Sequence, residues 1–183
     1  MKPITFVTGN IHKANLLQQS IGFPISHHDI DLTEIQSLDL KEIITHKVKE
    51  AYSILKTPVL VHDTALYFKA LGHLPGPFIK WFSESIGNDG LCQILNNFTD
   101  RSAFAVVNLG FYDGEQMRIF EERLNGRISD NPSGNKGFGW DPIFIPEGFD
   151  KTRADLNSSE YEENSLTHKV AKQAKIFLEQ KYA

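Results

Sequence analysis

Residues 4–13 read ITFVTGNIHK, and this stretch decides how the chain begins to fold. The apolar run 4–7 predicts a buried strand, and the glycine and asparagine after it predict a tight turn. Asn10 has the short polar side chain of a helix N-cap, and Leu16, Leu17 and Ile21 then recur with helical spacing. We therefore predict a strand, a loop and a helix, with the loop at the helix N-terminus.

The loop at residues 8–13 has two interpretations. The backbone N–H groups of a glycine turn, a helix N-terminus and Lys13 together suit a phosphate or another oxyanion. The same residues also fit an ordinary capped turn with a solvated lysine. The loop lacks the paired glycines and the Lys-Ser/Thr ending of the nucleotide P-loop, which argues against a kinase or a GTPase.

Further along the chain, strand and helix patterns alternate. Apolar residues from Ile44 to Leu55 recur with helical spacing, and residues 58–64, PVLVHDT, predict a buried central strand with a polar end. Asp113-Gly114 lies between β-branched and aromatic runs and predicts a hairpin. Residues 166–180 predict a closing helix, whereas residues 158–165 predict a solvated loop. The sum is an α/β fold with a mixed, elongated sheet.

Composition limits the class of protein. A length of 183 residues with 40% hydrophobic residues suits one domain or two closely joined lobes. The net charge of −4 argues against a broad nucleic-acid surface, because that surface needs many Lys and Arg contacts to phosphate. No stretch approaches the roughly 20 apolar residues of a membrane span, and no apolar signal core is present, so we predict a cytoplasmic protein. The only cysteine, Cys92, excludes an intramolecular disulfide.

Two carboxylates are candidates for a metal site. Glu34 lies in an extended segment and Asp63 ends the predicted central strand, and both supply the oxygen ligands that Mg²⁺ prefers. Lys47 and Lys80 are candidates for neutralising a triphosphate. Each of these residues also has an ordinary interpretation as a solvated side chain or a turn cap.

The His62-Asp63 pair could also suggest a metal-dependent phosphohydrolase of the all-helical type. That class of enzyme carries the pair on helices, whereas here it follows a β-branched run, so the sequence argues against this class.

Two further stretches offer contacts for a nucleobase. FGWD at residues 138–141 supplies two aromatic faces, a flexible glycine and an acid, although a turn anchored by a buried tryptophan would have the same residues. Residues 167–169, Thr-His-Lys, open the predicted last helix, where exposed donors can meet the oxygen atoms of a base. As isolated residues they would be a helix cap and a surface pair.

Taken together, VTGNIHK, DLTE, VHDTALYFKALGHLPGPFIKWF, GFGWDPIF and LTHK occur in the order seen in the inosine triphosphate pyrophosphatase family, also called the Ham1 family. The chain resembles this family over nearly its whole length. The resemblance implies a single domain over residues 1–183, with two lobes beside a central nucleotide cleft, and a homodimer. It also implies Mg²⁺-dependent hydrolysis of deaminated purine nucleoside triphosphates, such as ITP, dITP and XTP, to a monophosphate and pyrophosphate.

The resemblance also implies a role for each matching residue. The roles fall on the phosphate loop (Thr8, Gly9, Asn10, Lys13), the Mg²⁺ ligands (Glu34, Asp63), the base that activates water (Asp63), the polyphosphate contacts (Lys47, Lys80), the nucleotide contact Thr64, and the residues around the purine (Phe138, Gly139, Trp140, Asp141, His168, Lys169).

The chain departs from the family pattern at several positions. His62 stands where the family has a second acid, which predicts weaker Mg²⁺ binding, or activity that falls at low pH as the histidine becomes charged. Glu163 stands where a lysine is expected, and Lys169 where an arginine is expected. The acid expected early in the first helix gives way to Asn15 or Leu16. These departures leave two alternatives open: a protein that binds nucleotide without turnover, and a hydrolase for a different modified nucleotide.

Overall fold

The computed structural model describes residues 4–182. Within these residues the chain forms seven strands and five α-helices, with a single 3₁₀ turn before β4 and another before α4. In chain order the elements are β1 (Ile4–Val7), α1 (Ile11–Ile21), β2 (Ile25–His28), α2 (Leu40–Leu55), β3 (Val59–Phe68), β4 (Pro75–Gly76), α3 (Ile79–Gln93), β5 (Ser102–Tyr112), β6 (Met117–Ile128), β7 (Phe144–Pro146), α4 (Ser158–Glu163) and α5 (Leu166–Tyr182).

The strands form one mixed sheet in the order β2-β1-β3-β5-β6-β7, with β4 paired to β3. β1 lies parallel to both of its neighbours, so that Phe6 stands opposite His27 on one side and Leu60 on the other. β7 runs antiparallel to β6, and β4 runs antiparallel to β3. The predicted mixed α/β fold is confirmed.

The chain divides into two compact units. The first comprises the described residues of Met1–Thr64, Val107–Glu122 and Leu166–Ala183. The second comprises Ala65–Val106 and Arg123–Ser165.

The core of the first unit forms where α2 packs on the sheet. Ile44, Val48 and Ala51 recur on one face of the helix and are buried against apolar residues of β1 and β3. Gly110 lies beneath this helix, and a Cβ atom there would come within 2.5 Å of Ile44 and 2.8 Å of Val48. The sheet and α2 therefore approach so closely that no side chain fits at residue 110.

Most of the predicted elements are found. α1 begins after Asn10, whose side chain caps it, and it ends at Gly22, which adopts a left-handed conformation with φ 55°. The predicted hairpin is the turn between β5 and β6, where the Asp113 N–H donates to the carbonyl of Gln116 at 3.4 Å. None of the helices in the described part of the chain is long and apolar enough to cross a membrane.

The predicted solvated loop at residues 158–165 is wrong, because residues 158–163 form α4. Asn157 and Glu160 make a capping box, in which each side chain accepts a hydrogen bond from the backbone N–H of the other residue. Lys151 adds an ion pair to Glu160 at 2.7 Å. These contacts stabilise a helix that is too short to form on its own.

Candidate functional site

The loop between β1 and α1 is held by its own side chains. The Asn10 side chain accepts hydrogen bonds from the backbone N–H groups of His12 and Lys13, at 3.0 and 3.1 Å. The Thr8 hydroxyl accepts from the Asn10 N–H at 3.1 Å. The backbone N–H groups of Asn10, His12 and Lys13 therefore already have hydrogen-bond acceptors. A phosphate bound at this loop would have to replace these side-chain oxygens.

β2 fixes the other side of this loop. The ring nitrogen Nε2 of His27 lies 2.8 Å from the Thr8 carbonyl oxygen, to which it can donate, and the Thr8 N–H donates to the His28 carbonyl. A Cβ atom at Gly9 would lie only 3.1 Å from a carboxylate oxygen of Asp29. Glycine at this position gives the Asp29 carboxylate room to approach the loop, and its backbone angle is not of the left-handed kind. The contact between His27 and Thr8 joins residues 19 positions apart, and no signal in the sequence predicted it.

Three charged side chains meet at the middle of β3, which continues past Asp63 to Phe68, so the prediction that Asp63 ends this strand is wrong. The Lys47 ammonium donates to an oxygen of Glu34 and to an oxygen of Asp63, each at 2.8 Å. Lys47 comes from α2, where its side chain is only 8% exposed. Both carboxylates therefore converge on one cation position, although 29 residues separate Glu34 from Asp63 in the sequence.

The Asp63 carboxylate has two more partners. Lys13, from α1, lies 3.5 Å from its Oδ1, and the backbone N–H of Thr64 donates to the same oxygen at 2.9 Å. Burial by itself favours the neutral acid, but the charges of Lys13 and Lys47 outweigh it and lower the pKa of Asp63 to about 2. Asp63 is therefore ionised at any ordinary pH.

Lys47 remains charged for the same reason. Burial by itself would lower its pKa, but the carboxylates of Asp63 and Glu34 outweigh burial, and the pKa of Lys47 is raised above its usual value. The cluster is a compact arrangement of two ammonium groups and two carboxylates in the first unit. Such an arrangement can exchange one of its own cations for a metal ion, or one of its own anions for a phosphate.

The donor set fits Mg²⁺. Glu34 and Asp63 supply hard oxygen ligands that already share one cation position, which Lys47 fills. Across residues 4–182, no group of three or more His, Cys, Asp or Glu side chains stands ready to hold a metal ion. A pair of carboxylates without a complete protein cage matches the way Mg²⁺ is commonly bound, with substrate phosphates and water as further ligands.

His62 does not join this cluster. Its Nε2 lies 3.1 Å from the Thr167 hydroxyl at the start of α5, and its Nδ1 is buried without a hydrogen-bond partner among the described residues. Burial, with a further contribution from the charge of Lys13, lowers the pKa of His62 to about 3. The prediction that activity falls at low pH as His62 becomes charged is therefore wrong for ordinary pH.

Protonation of His62 should instead limit acid stability. An unfolded histidine takes up a proton near pH 6.5, whereas folded His62 does so only near pH 3. The unfolded state therefore binds the extra proton first, and stability falls as the pH drops from about 6.5 to about 3. At about 1.4 kcal/mol for each pKa unit, on the order of 3 kcal/mol of the free energy of unfolding is lost by pH 4.

We expect His62→Gln to remove this loss. Urea unfolding of both proteins at several pH values between about 6.5 and 4 measures it as a difference in slope. Asp63 contributes equally to both proteins, because its lowered pKa adds stability that is lost only as the pH falls from about 4 towards 2. Parallel curves above pH 4 would contradict the assignment to His62.

The second unit holds the FGWD loop, residues 138–141. Phe138 is half exposed, and Trp140 packs edge-on against Phe144 with ring centroids 5.4 Å apart. Gly139 has φ 60°, and its carbonyl accepts a hydrogen bond from the Asn88 side chain at 3.0 Å. The loop therefore presents one aromatic face to solvent, while Trp140 anchors it to β7.

Asp141 is turned into the protein. One carboxylate oxygen accepts from Nε of Arg153 at 2.7 Å, and the other accepts from the Tyr161 hydroxyl and the Phe138 N–H, both at 2.7 Å. Burial and the Asp141 carboxylate raise the pKa of Tyr161 to about 12, so this hydroxyl keeps its proton. In this arrangement Asp141 holds the loop in place, and its role as a base contact stays a prediction.

The other predicted residues lie in separate places. Lys80 is in the first turn of α3, in the second unit, with Nζ 5.3 Å from the centroid of the Trp81 ring. His168 and Lys169 follow Thr167 in the first turn of α5, in the first unit. The structure brings Lys13, Glu34, Lys47, Asp63 and Thr64 together, and a common ligand for these and for Lys80, His168 and Lys169 stays a prediction.

Comparison with known proteins gives consistent matches. A model of the Ham1 family matches residues 4–177. The chain is 43% identical to a protein of Batrachochytrium dendrobatidis named inosine triphosphate pyrophosphatase, over 92% of this chain and 89% of that protein. It is 40% identical to the Schizosaccharomyces pombe protein of the same name, over 98% of this chain and 96% of that one.

Solved structures agree with these relatives. The Ham1 protein of Staphylococcus aureus superposes with a TM-score of 0.82 at 26% identity, covering 98% of this chain and all of that one. A HAM1 protein from Coxiella burnetii gives the same TM-score at 23% identity over 98% of this chain, which supports the fold alone.

Proposed function

We propose that the chain, which belongs to the Ham1 family, is a hydrolase of deaminated purine nucleoside triphosphates. Substrates such as ITP, dITP and XTP would be split into a monophosphate and pyrophosphate. The predicted enzyme class, a nucleoside-triphosphate pyrophosphatase, agrees with the names of its relatives. Mg²⁺ dependence and this set of substrates are the finer parts of the proposal.

One observation carries the proposal. Asp63 and Glu34 share the ammonium of Lys47 at 2.8 Å, and Lys13 lies 3.5 Å from Asp63 at the start of α1. A triphosphate needs positive groups for its oxygen atoms, and a metal ion needs carboxylates. The cluster offers both kinds of group within a few ångströms.

The two lysines give the substrate phosphates their first partners. Lys13 and Lys47 now pair with Asp63, so a triphosphate that recruits their ammonium groups separates them from this carboxylate. The same two charges lower the pKa of Asp63, so this carboxylate stays ionised and can serve as a metal ligand.

Glu34 and Asp63 would hold the metal ion, since their oxygen atoms converge on one cation position. When bound, Mg²⁺ would neutralise charge on the phosphate oxygens and promote attack by water at the α-phosphorus. Asp63 would orient that water and accept its proton, while Lys13 and Lys47 stabilise the charge that grows on the leaving pyrophosphate.

Recognition of the base is proposed for the FGWD loop and the start of α5. The exposed ring of Phe138 can stack on a purine, and His168 and Lys169 can donate to an oxygen atom on the purine ring. Donors that face a purine oxygen lose their partner when an amino-bearing base binds, and the resulting discrimination can be large. Glu163 is exposed at the end of α4 and offers an acceptor instead.

A nucleotide panel tests the proposal. With Mg²⁺ present, we expect pyrophosphate release from ITP and XTP at about a hundredfold or more the rate from ATP, because the 6-amino group of adenine leaves the donors unpaired. GTP keeps the 6-oxygen and tests whether the 2-amino group is also rejected. Omitting the metal and adding a chelator is the control. Equal rates for all four nucleotides would reject the selectivity but keep the hydrolase, whereas calorimetric binding of ITP without product would favour a nucleotide-binding protein.

We also propose a cytoplasmic homodimer. The family resemblance supports this proposal. Sedimentation velocity at several protein concentrations tests the dimer, and a monomer at all of them would reject it.

A further inference from the structure

We infer that His62 and Thr167 are positioning residues, whose hydrogen bond fixes the first turn of α5, with His168 and Lys169, to the strand that carries Asp63. The inference rests on the proposed function, because it assigns His168 and Lys169 to the base of the nucleotide. It adds two residues that contact neither phosphate nor metal in the proposal.

The contact is specific and buried. Nε2 of His62 lies 3.1 Å from Oγ1 of Thr167, and the two residues are only 6% and 8% exposed. Thr167 is the second residue of α5, where the backbone N–H groups have no carbonyl of the preceding turn as partner. The orientation of such a helix start depends on its side-chain contacts.

Other polar contacts of α5, Gln173 with Glu122 and Lys181 with Asp113, lie further along the helix, and its buried face is apolar. Val170, Ala171, Ala174 and Leu178 are buried and hold one face of the helix on the protein. Apolar contacts have no preferred direction, whereas a hydrogen bond weakens steeply when its angle changes. The His62–Thr167 bond is therefore a directional contact that can fix the position of the first turn, which the buried Leu166 also anchors and where His168 and Lys169 lie.

The same strand separates this contact from the reacting groups. Successive side chains of a strand point to opposite faces, so His62 and Asp63 are directed apart. Asp63 is held by Lys13, Lys47 and the Thr64 N–H. Loss of the His62–Thr167 bond should therefore weaken base binding without changing the chemistry at Asp63.

The ring of His62 depends on this bond. Its Nδ1 is buried and has no hydrogen-bond partner in the described part of the chain. Removing the Thr167 hydroxyl would leave both ring nitrogens unpaired, which is costly for a buried polar ring. The ring and the helix start would then adjust together.

Thr167→Val tests the inference, because it removes the hydroxyl and keeps the branched shape. We expect KM for ITP to rise about threefold to tenfold, the worth of one buried hydrogen bond, with kcat changed less than about twofold. Thr167→Ser keeps the hydroxyl and should restore KM. In a His62→Leu background, Thr167→Val should add no further change in KM.

Thr5→Val is the matched control. Thr5 is 5% exposed, and its hydroxyl lies 3.1 Å from that of Ser26 in the neighbouring strand, so the variant loses a similar buried bond in the same unit. We expect it to lower the melting temperature without changing KM. An equal KM for Thr167→Val and the parent protein, or an equal rise in KM for Thr5→Val, would overturn the inference.

Calorimetry separates this inference from the proposed function. The dissociation constant of ITP is measured in an Asp63→Asn background, which removes turnover, with and without Thr167→Val. A threefold to tenfold weaker binding with the second substitution supports the inference even if the parent protein releases no pyrophosphate. Equal binding overturns the inference alone, and a parent protein that binds no ITP overturns both.

Discussion

Asp63→Asn should reduce pyrophosphate release from ITP by about a thousandfold or more, because it removes both the proposed ligand for Mg²⁺ and the proposed proton acceptor. The amide has nearly the same volume, and Lys47 keeps its ion pair with Glu34 at 2.8 Å. The fold should therefore survive. Initial rates at saturating ITP and Mg²⁺ measure the effect, and circular dichroism checks the fold.

The control is Asp150→Asn, which makes the same change in charge at an exposed residue of the second unit. We expect its rate to remain within about twofold of the parent rate, because surface substitutions have small effects. If Asp63→Asn kept more than about a tenth of the parent rate, Asp63 would not be the proton acceptor. Glu34 would then be the next residue to substitute.

Arg153→Met should cause the largest loss of stability. The guanidinium of Arg153 donates to the Asp141 carboxylate at 2.7 Å and to the Asn164 carbonyl at 2.7 Å, and both charged side chains are almost fully buried. Removing the cation leaves an uncompensated charge in the interior, which costs about 3–5 kcal/mol. Unfolding in guanidinium chloride, followed by fluorescence and circular dichroism together, measures it.

The double variant Arg153→Met/Asp141→Asn is the matched control. It removes the charge that the single variant leaves unpaired, so it should recover part of the lost stability. Arg153→Lys keeps the charge but loses the planar fork of donors, and should lie between the parent protein and Arg153→Met. A loss below about 1 kcal/mol in Arg153→Met would show that Asp141 is hydrated or protonated there.

The elements around the phosphate loop could be predicted because their signals are local. An asparagine before an apolar helical pattern predicted α1, and the spacing of Ile44, Val48 and Ala51 predicted the buried face of α2. The capping box of α4 was a signal of the same kind, but the charged run from Ser158 to Glu163 was interpreted as solvated. In all three helices the residues that start or bury the helix lie close together in the sequence, so a local pattern was enough to predict it, although the pattern of α4 was not used.

Contacts between distant residues could not be predicted in this way. Nothing near Asp141 in the sequence indicates that Arg153 and Tyr161 would bond to it, because that contact depends on how the FGWD loop packs against a 3₁₀ turn and α4. The partner of His62 lies 105 residues away, in α5. The alternation of side chains along a strand directs His62 and Asp63 to opposite faces, a signal in the sequence from which no prediction was made.

Gly110 links the architecture of the sheet to the chemistry of the cluster. Gly110 allows α2 to lie close to the sheet. On that helix Lys47 lies between Ile44 and Val48, the two residues that a Cβ atom at position 110 would contact. Any side chain at position 110 would act as a spacer under that turn and push the ammonium away from both carboxylates. The contacts of Lys47 with both carboxylates thus depend on the absence of a side chain at Gly110 in β5.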